Sequence, residues 1–174
     1  WRVVNDAGQD QPIGAAGELW VRSAGPDPRR GFFSGYLGDP DATEAAWQGG
    51  WFHTGDIVSC DAAGLIYFVD RKKSIIRRSG ENISALEVEA ALMADPAVQS
   101  AAVTPVADAL RDAEVFAFVV PVDPQYPDPD QLLARLGQGL SYHKLPGWLL
   151  FAKSLPVSST QKLQRGQIKA HAAR

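Results

Sequence analysis

The chain of 174 residues has one cysteine, one methionine and three histidines. A lone cysteine cannot close an intramolecular disulfide, and Cys60 has no Cys or His neighbours at metal-ligand spacing, so a disulfide framework is excluded and no metal site is expected. No run approaches the roughly 18 uninterrupted apolar residues of a membrane span, and no basic segment followed by an apolar one opens the chain as a signal peptide would. A cytoplasmic protein is the expectation. Excess charge is also lacking: 17 Lys and Arg against 20 Asp and Glu give a net charge of −3, which argues against a chain built to bind nucleic-acid phosphates. An initiating methionine is missing as well. The sequence enters at Trp1 on a strand-like run, Trp1-Arg2-Val3-Val4, and reads as a piece of something longer.

What is present is a 45% hydrophobic content, enough for a packed core. The first 70 residues read as short antiparallel strands joined by turns. Asp6-Ala7-Gly8-Gln9 is a turn, 17–22 a strand, 24–31 a Gly/Pro-rich loop and 40–47 a short helix that Asp39 can cap with Pro40 at its first position. Strands at 51–60 and 65–70 flank Asp61-Ala62-Ala63-Gly64, a hairpin connection with glycine where a positive φ is needed.

At Asp70-Arg71-Lys72-Lys73 the hairpins give way to alternating strands and helices, which places a domain boundary between 70 and 71. A strand at 74–78 comes first. Ser84-Ala85-Leu86-Glu87 then has the form of a capping box, with Ile83 and Val88 as the hydrophobic staple of a helix running to about 94, before Asp95-Pro96. Strands at 98–105 and 114–122, a helix at 129–140 capped by Asp128, a strand at 148–152 and a helix at 163–173 complete the order β-α-β-β-α-β-α, an α+β fold.

Three stretches carry chemistry. In Gly50-Trp51-Phe52-His53-Thr54-Gly55-Asp56 a glycine turns the backbone tightly beside a carboxylate suited to accept hydrogen bonds from a diol. Asp70-Arg71-Lys72-Lys73 leads through Ser79-Gly80-Glu81-Asn82-Ile83 to Glu87-Val88-Glu89. The third, Leu155-Pro156-Val157-Ser158-Ser159-Thr160-Gln161-Lys162-Leu163, is a Ser/Thr-rich loop with one lysine before a helix.

In order and spacing these resemble the last three motifs of the adenylate-forming (ANL) superfamily, and Ser79-Gly80-Glu81-Asn82 is similar to the wording of carnitine and fatty-acid CoA ligases. The resemblance implies an acyl-CoA synthetase that joins a small-molecule carboxylic acid to CoA with ATP and Mg²⁺ through an acyl-adenylate. It implies that residues 1–70 are the last β subdomain of a large adenylate-binding domain and 71–174 a small mobile carboxy-terminal domain. It assigns Asp56 and Arg71 to the AMP ribose, Lys73 to the hinge, Gly80, Glu81 and Asn82 to the loop of thioester formation, and Lys162 to catalysis of adenylation. Two positions depart from the pattern: Gln161 and Ala113 stand where glycine is usual. The family's Ser/Thr/Gly-rich phosphate loop, Tyr-Gly-x-Thr-Glu-type motif and acyl pocket have no match here, so the chain alone is expected to be inactive and to hold no bound cofactor.

Two rival readings stay open: an adenylation domain that passes its acyl group to a carrier protein, and a non-catalytic interaction module derived from the fold. Individual residues also have plainer explanations. Lys162 can be a surface lysine, Asp56 a turn carboxylate, and Arg71, Lys72, Lys73, Arg77 and Arg78 a solvated basic face. His53 and His143 lack triad partners, and Trp20, Trp47, Trp51 and Trp148 read as core anchors.

Overall fold

The computed structural model describes residues 1–123 and 128–172. The chain divides into two compact units, Trp1–Lys73 and Ser74–Arg174. Among the described residues no helix is long and apolar enough to cross a membrane.

The first unit is a four-stranded antiparallel sheet in sequential order, β1 (Arg2–Val4), β2 (Gly17–Val21), β3 (Phe52–Cys60) and β4 (Ile66–Arg71), with one helix, α1 (Pro40–Ala46). Asp39 caps α1 by accepting from the Ala42 amide at 2.9 Å, and Pro40 occupies the first turn, where its missing N–H costs nothing. Phe32, Trp47 and Phe52 meet edge-on or tilted at centroid distances of 5.0 to 5.9 Å. They join the 24–50 segment to the sheet. The β3–β4 hairpin turns at Gly64, whose φ of +82° suits glycine, while Asp61 Oδ1 accepts from the Ala63 and Leu65 amides.

The second unit is a five-stranded sheet in the order β6-β5-β8-β7, formed by β5 (Ile75–Arg78), β6 (Glu81–Ser84), β7 (Val98–Asp108) and β8 (Asp112–Pro121). The fifth strand, β9 (Trp148–Phe151), runs parallel to β8. Side chains alternate across the β7–β8 pair, as the period of two requires. Ala101, Val103, Val115, Ala117 and Val119 face a core shared with α2 (Ala85–Met93) and α3 (Pro129–Leu136), while Ala102 and Phe118 face Ile168 of α4 (Arg165–Ala172) on the other side. The central strands are therefore covered on both faces, which is why β8 reads as an almost unbroken apolar run.

Ser84 caps α2 by accepting from the Glu87 amide at 3.2 Å, and the staple residues Ile83 and Val88 are both fully buried. Several details differ from the sequence reading: β7 runs on to Asp108 and β8 starts at Asp112, because the two pair along their whole length, and Trp148 is exposed on β9 rather than a core anchor. The segment 81–84 is a strand, because Ser79-Gly80 closes a two-residue hairpin that pairs it with β5. The helix read at 129–140 stops at Leu136, where Gly137 begins a glycine-containing turn. The last helix begins at Arg165, two residues later than read, because the Leu163 backbone is held in a bridge to Val157; its expected end at Ala173 lies outside the described residues.

Leu92, fully buried in α2, supports this core. Leu92→Ala should destabilise the second unit by about 2–5 kcal/mol through lost burial and the cavity left behind. Leu110→Ala, at a side chain 95% exposed, should change stability by less than about 0.5 kcal/mol. Urea titration of the two variants checks this; equal midpoints would refute the core assignment.

Candidate nucleotide and acyl-transfer site

In the first unit, the β2–β3 ladder pairs Trp20 with His53 and Glu18 with Ile57. Between those pairs Leu19 alone stands opposite Thr54, Gly55 and Asp56, so β3 bulges outward at this point. Gly55 takes up the bend with a φ of +69°. Side chains replace the interrupted ladder: Thr54 Oγ1 donates to the Leu19 carbonyl at 2.7 Å and accepts from the Asp56 amide at 3.0 Å, while the Gly55 amide donates to Glu18 Oε1 at 3.2 Å.

The bulge delivers Asp56 opposite Arg71 on β4, with Arg71 Nη1 2.9 Å from Asp56 Oδ1. That approach makes an ion pair without hydrogen-bond alignment. Asp56 Oδ1 is shielded from solvent and receives no aligned hydrogen bond among the described residues. Such an acceptor is suited to a ligand hydroxyl, and the half-exposed Arg71 guanidinium beside it supplies donors. Thr54, Gly55, Arg71, Lys72 and Lys73 line an open depression of about 430 Å³ here.

Sequence reasoning missed Glu18, which braces this site from behind. Only 6% exposed, it accepts from the Gly55 amide and pairs with Lys72 Nζ at 2.9 Å. Burial alone pushes its carboxyl up, but the Lys72 and Gly55 hydrogen bonds and the Lys72 charge outweigh that and leave it below its ordinary value of 4.5. The available signal was a lone charge in the strand run Gly17-Glu18-Leu19-Trp20-Val21. Lys73 sits in a 3-10 turn at the last position of the first unit and makes no side-chain hydrogen bond or ion pair among the described residues.

In the second unit, Ser79 and Gly80 form the β5–β6 turn with φ of +52° and +86°, the pair of positive values a type I′ hairpin needs. Glu81 and Asn82 follow, exposed, on β6. Lys162 is exposed on a separate turn. There Ser158 N donates to the Lys162 carbonyl at 2.8 Å, Lys162 N donates to Ser158 Oγ at 3.2 Å, and Gln161 takes a φ of +60°. A glycine would adopt that conformation without strain, so the departure at Gln161 changes the cost of the turn and leaves its shape intact. The predicted residues thus fall into three places: Asp56 with Arg71, the Gly80 hairpin, and the Lys162 turn. Among the described residues no group of three or more His, Cys, Asp or Glu side chains is arranged to hold a metal ion.

Residues 87–162 match the family described as the AMP-binding enzyme C-terminal domain. Over that span the chain carries this domain, and across nearly its whole length it is similar to parts of adenylate-forming enzymes. It is 37% identical over 164 residues to the crotonobetaine/carnitine–CoA ligase of Proteus mirabilis, covering 94% of this chain and 30% of that protein. It is 36% identical over 168 residues to the feruloyl-CoA synthase of an Amycolatopsis species, covering 97% and 33%. Among solved structures, the amide bond synthetase of Marinactinospora thermotolerans superposes with a TM-score of 0.82 at 34% identity, over 99% of this chain and 34% of that one. The o-succinylbenzoate CoA synthetase of Bacillus subtilis, in complex with its acyl-adenylate intermediate, gives 0.82 at 30% identity over 97% and 33%. The chain spans about a third of the length of these relatives.

The depressed Glu18 carboxyl gives a pH prediction. Its folded pKa lies below the unfolded 4.5, so its contribution to stability is present above that value and is lost as pH falls through the folded pKa. The stability difference between the parent and Glu18→Gln, from urea titrations followed by tryptophan fluorescence, should therefore shrink between roughly pH 5 and pH 3. A constant difference over that range would contradict the assignment.

Proposed function

We infer that this chain serves as the carboxy-terminal third of a cytoplasmic, ATP-dependent acid–CoA ligase, its first unit the last β subdomain of a large adenylate-binding domain and its second the small mobile domain. In the first half-reaction a carboxylate oxygen of the acid attacks the α-phosphorus of ATP and pyrophosphate leaves. In the second the CoA sulfur attacks the acyl carbonyl of the adenylate and AMP leaves. Mg²⁺ would accompany the ATP and offset the charge on its phosphates. Asp56 and Arg71 hold the ribose hydroxyls, the Lys162 ammonium meets the negative charge that grows between acid and α-phosphate, and the Gly80 loop with Glu81 and Asn82 serves the thiol attack.

The observation that carries this reading is that Lys162 and Gly80 stand on two separate exposed loops of one compact unit, and that the unit boundary falls directly after Lys73. Two loops used in turn at one site require a swivel, and a boundary residue whose side chain is unengaged among the described residues is free to absorb the change in φ and ψ. The CoA ligases among the relatives support CoA as acceptor. The phosphate loop and acyl pocket have no counterpart in this sequence, so the 174-residue chain by itself catalyses nothing.

In the full-length ligase, Lys162→Ala should slow ATP–pyrophosphate exchange on the order of 10²-fold, as removal of one electrostatic stabiliser does, and leave thioester formation from supplied acyl-adenylate intact. The chain alone should give no exchange. Equal loss in both half-reactions, or in neither, would refute the role given to Lys162.

Lys73→Pro fixes φ near −65° and restricts Lys72, so one orientation of the small domain is trapped. The resemblance to adenylate-forming enzymes implies that the adenylating orientation precedes CoA binding, so exchange should persist while single-turnover thioester formation is mostly lost. Equal retention of both rates would show that the chain turns elsewhere.

A further inference from the structure

Among its described residues the second unit buries three carboxylates that the proposed mechanism does not use; Asp95 pairs with Arg135 away from both loops, and each of the other two lies behind one of them. Glu89 of α2 is 4% exposed. Glu114 of β8 is 2% exposed. Neither is a stray polar group, because each is met by donors at every side-chain oxygen.

Glu89 sits at the position of α2 that its helical spacing assigns to the core, beside Ala85, Val88 and Leu92. Its partner is Arg165, the first residue of α4 and the third after Lys162. Arg165 Nη1 and Nη2 donate to Glu89 Oε1 and Oε2 at 2.8 Å each, a bidentate fork. The pair also closes the outer edge of the sheet. β7 is the end strand, and at Val103 its outward backbone groups are taken by these side chains: Val103 N donates to Glu89 Oε1 at 2.8 Å, and Arg165 Nη1 donates to the Val103 carbonyl at 3.4 Å. Arg165 is thereby fixed to α2 and to β7 at once. Gln164, one residue earlier, donates through its backbone to the Pro156 carbonyl and through Nε2 to the Val157 carbonyl, closing the base of the turn. Lys162 projects from a turn whose downstream end is tied by a half-buried, bidentate ion pair.

Glu114 occupies the opposite edge of β8, between the point where β5 pairs at Asp112 and the point where β9 pairs from Phe116. Its Oε1 accepts from the Val115 amide at 2.8 Å. Oε2 accepts from Arg111 Nη1 at 2.7 Å and meets Arg78 Nη2 at 3.0 Å. Arg78 is the residue immediately before the Ser79-Gly80 turn, and its Nη1 also donates to the His143 and Leu145 carbonyls at 2.9 and 3.0 Å. The backbone of Ser79 is tied to the same group, donating to the Arg111 carbonyl at 2.9 Å. The fit is close on the far side too: a Cβ at Gly147 would come within 2.5 Å of the Glu114 carboxyl carbon.

We propose that Glu89 with Arg165 and Glu114 with Arg78 are two independent positioning pairs, the first holding the Lys162 turn for adenylation and the second holding the Gly80 hairpin for thioester formation. The proposal rests on the roles assigned above to those two loops. It goes beyond them in predicting that the half-reactions can be disabled separately, from buried residues that touch no substrate.

The test is a double dissociation in the full-length ligase. Glu89→Gln should lower pyrophosphate exchange about tenfold or more while thioester formation from supplied acyl-adenylate stays within about twofold, since displacing a catalytic group by an ångström is enough for such a loss. Glu114→Gln should do the reverse. A merely structural role for either residue would depress both half-reactions alike, and that result, or no effect on either, would overturn the proposal. Arg165→Lys and Arg78→Lys keep the charge but lose the fork, and they give the same reading if a glutamine variant fails to fold. Lys162→Ala and Gly80→Val, run alongside, separate the two levels of inference. If these split the half-reactions and the buried variants do not, the positioning pairs are wrong; if these do not split them, the loop roles fail and the proposal falls with them.

Discussion

A carboxylate removed from water loses several kcal/mol of hydration and is tolerated only where donors inside the protein replace it. In this chain Glu18, Glu89 and Glu114 are all buried, and each finds its donors in a backbone amide together with a lysine or arginine from another part of the same unit. This requirement decides local geometry. Glu18 can be buried only if the Gly55 amide points back at it, which is the orientation that turns the β3 bulge and brings Asp56 across from Arg71. Glu89 draws in the start of α4 and Glu114 the end of β5. An apolar substitute at any of the three could fill the volume, but it would take the carboxylate away from a cation and from a backbone N–H.

Regular structure accounts for the rest of the arrangement. The β7–β8 pair is long, apolar on both faces and covered by helices on each, so it forms a platform from which short loops project. Loops around such a core carry polar residues at little expense to it, and here the Gly80 hairpin joins β5 to β6 while the Lys162 turn lies between β9 and α4. That separation is what allows one small domain to be proposed for two chemical steps. A single loop would have to refold between them, whereas two loops need only be exchanged by a turn of the backbone near Lys73.

The elements with strong local signals were legible in the sequence. Asp39-Pro40 and Ser84 to Glu87 announce helix starts by satisfying backbone amides, and both caps form as read. The strand β6 was not legible, because Glu81-Asn82-Ile83-Ser84 carries a single apolar residue; its pairing is set by the positive φ values at Ser79 and Gly80. Asp56 and Arg71 were named as a pair from the motif resemblance, but their 2.9 Å approach follows from the β3–β4 pairing, whose register shifts between Ile57 and Val58 and cannot be counted off from the sequence. The positioning residues were the hardest to see. Glu89 stands in a helical pattern and Glu114 in a strand pattern at places meant for apolar side chains. A charge there can be read as functional only once its partners, Arg165 and Arg78, are known to reach it.

The central claim is that the second unit presents one loop and then the other by turning about the residues around Lys73. Distance measurement by double electron–electron resonance addresses it directly. Spin labels at Ala63→Cys in the β3–β4 turn and Gln138→Cys beyond α3, both exposed, would be introduced in the full-length ligase after Cys60→Ser. With ATP and the acid bound, the labels should give one distance distribution. With a non-hydrolysable acyl-adenylate mimic and CoA they should give a second, resolved from the first. The same distribution under both conditions would contradict the account.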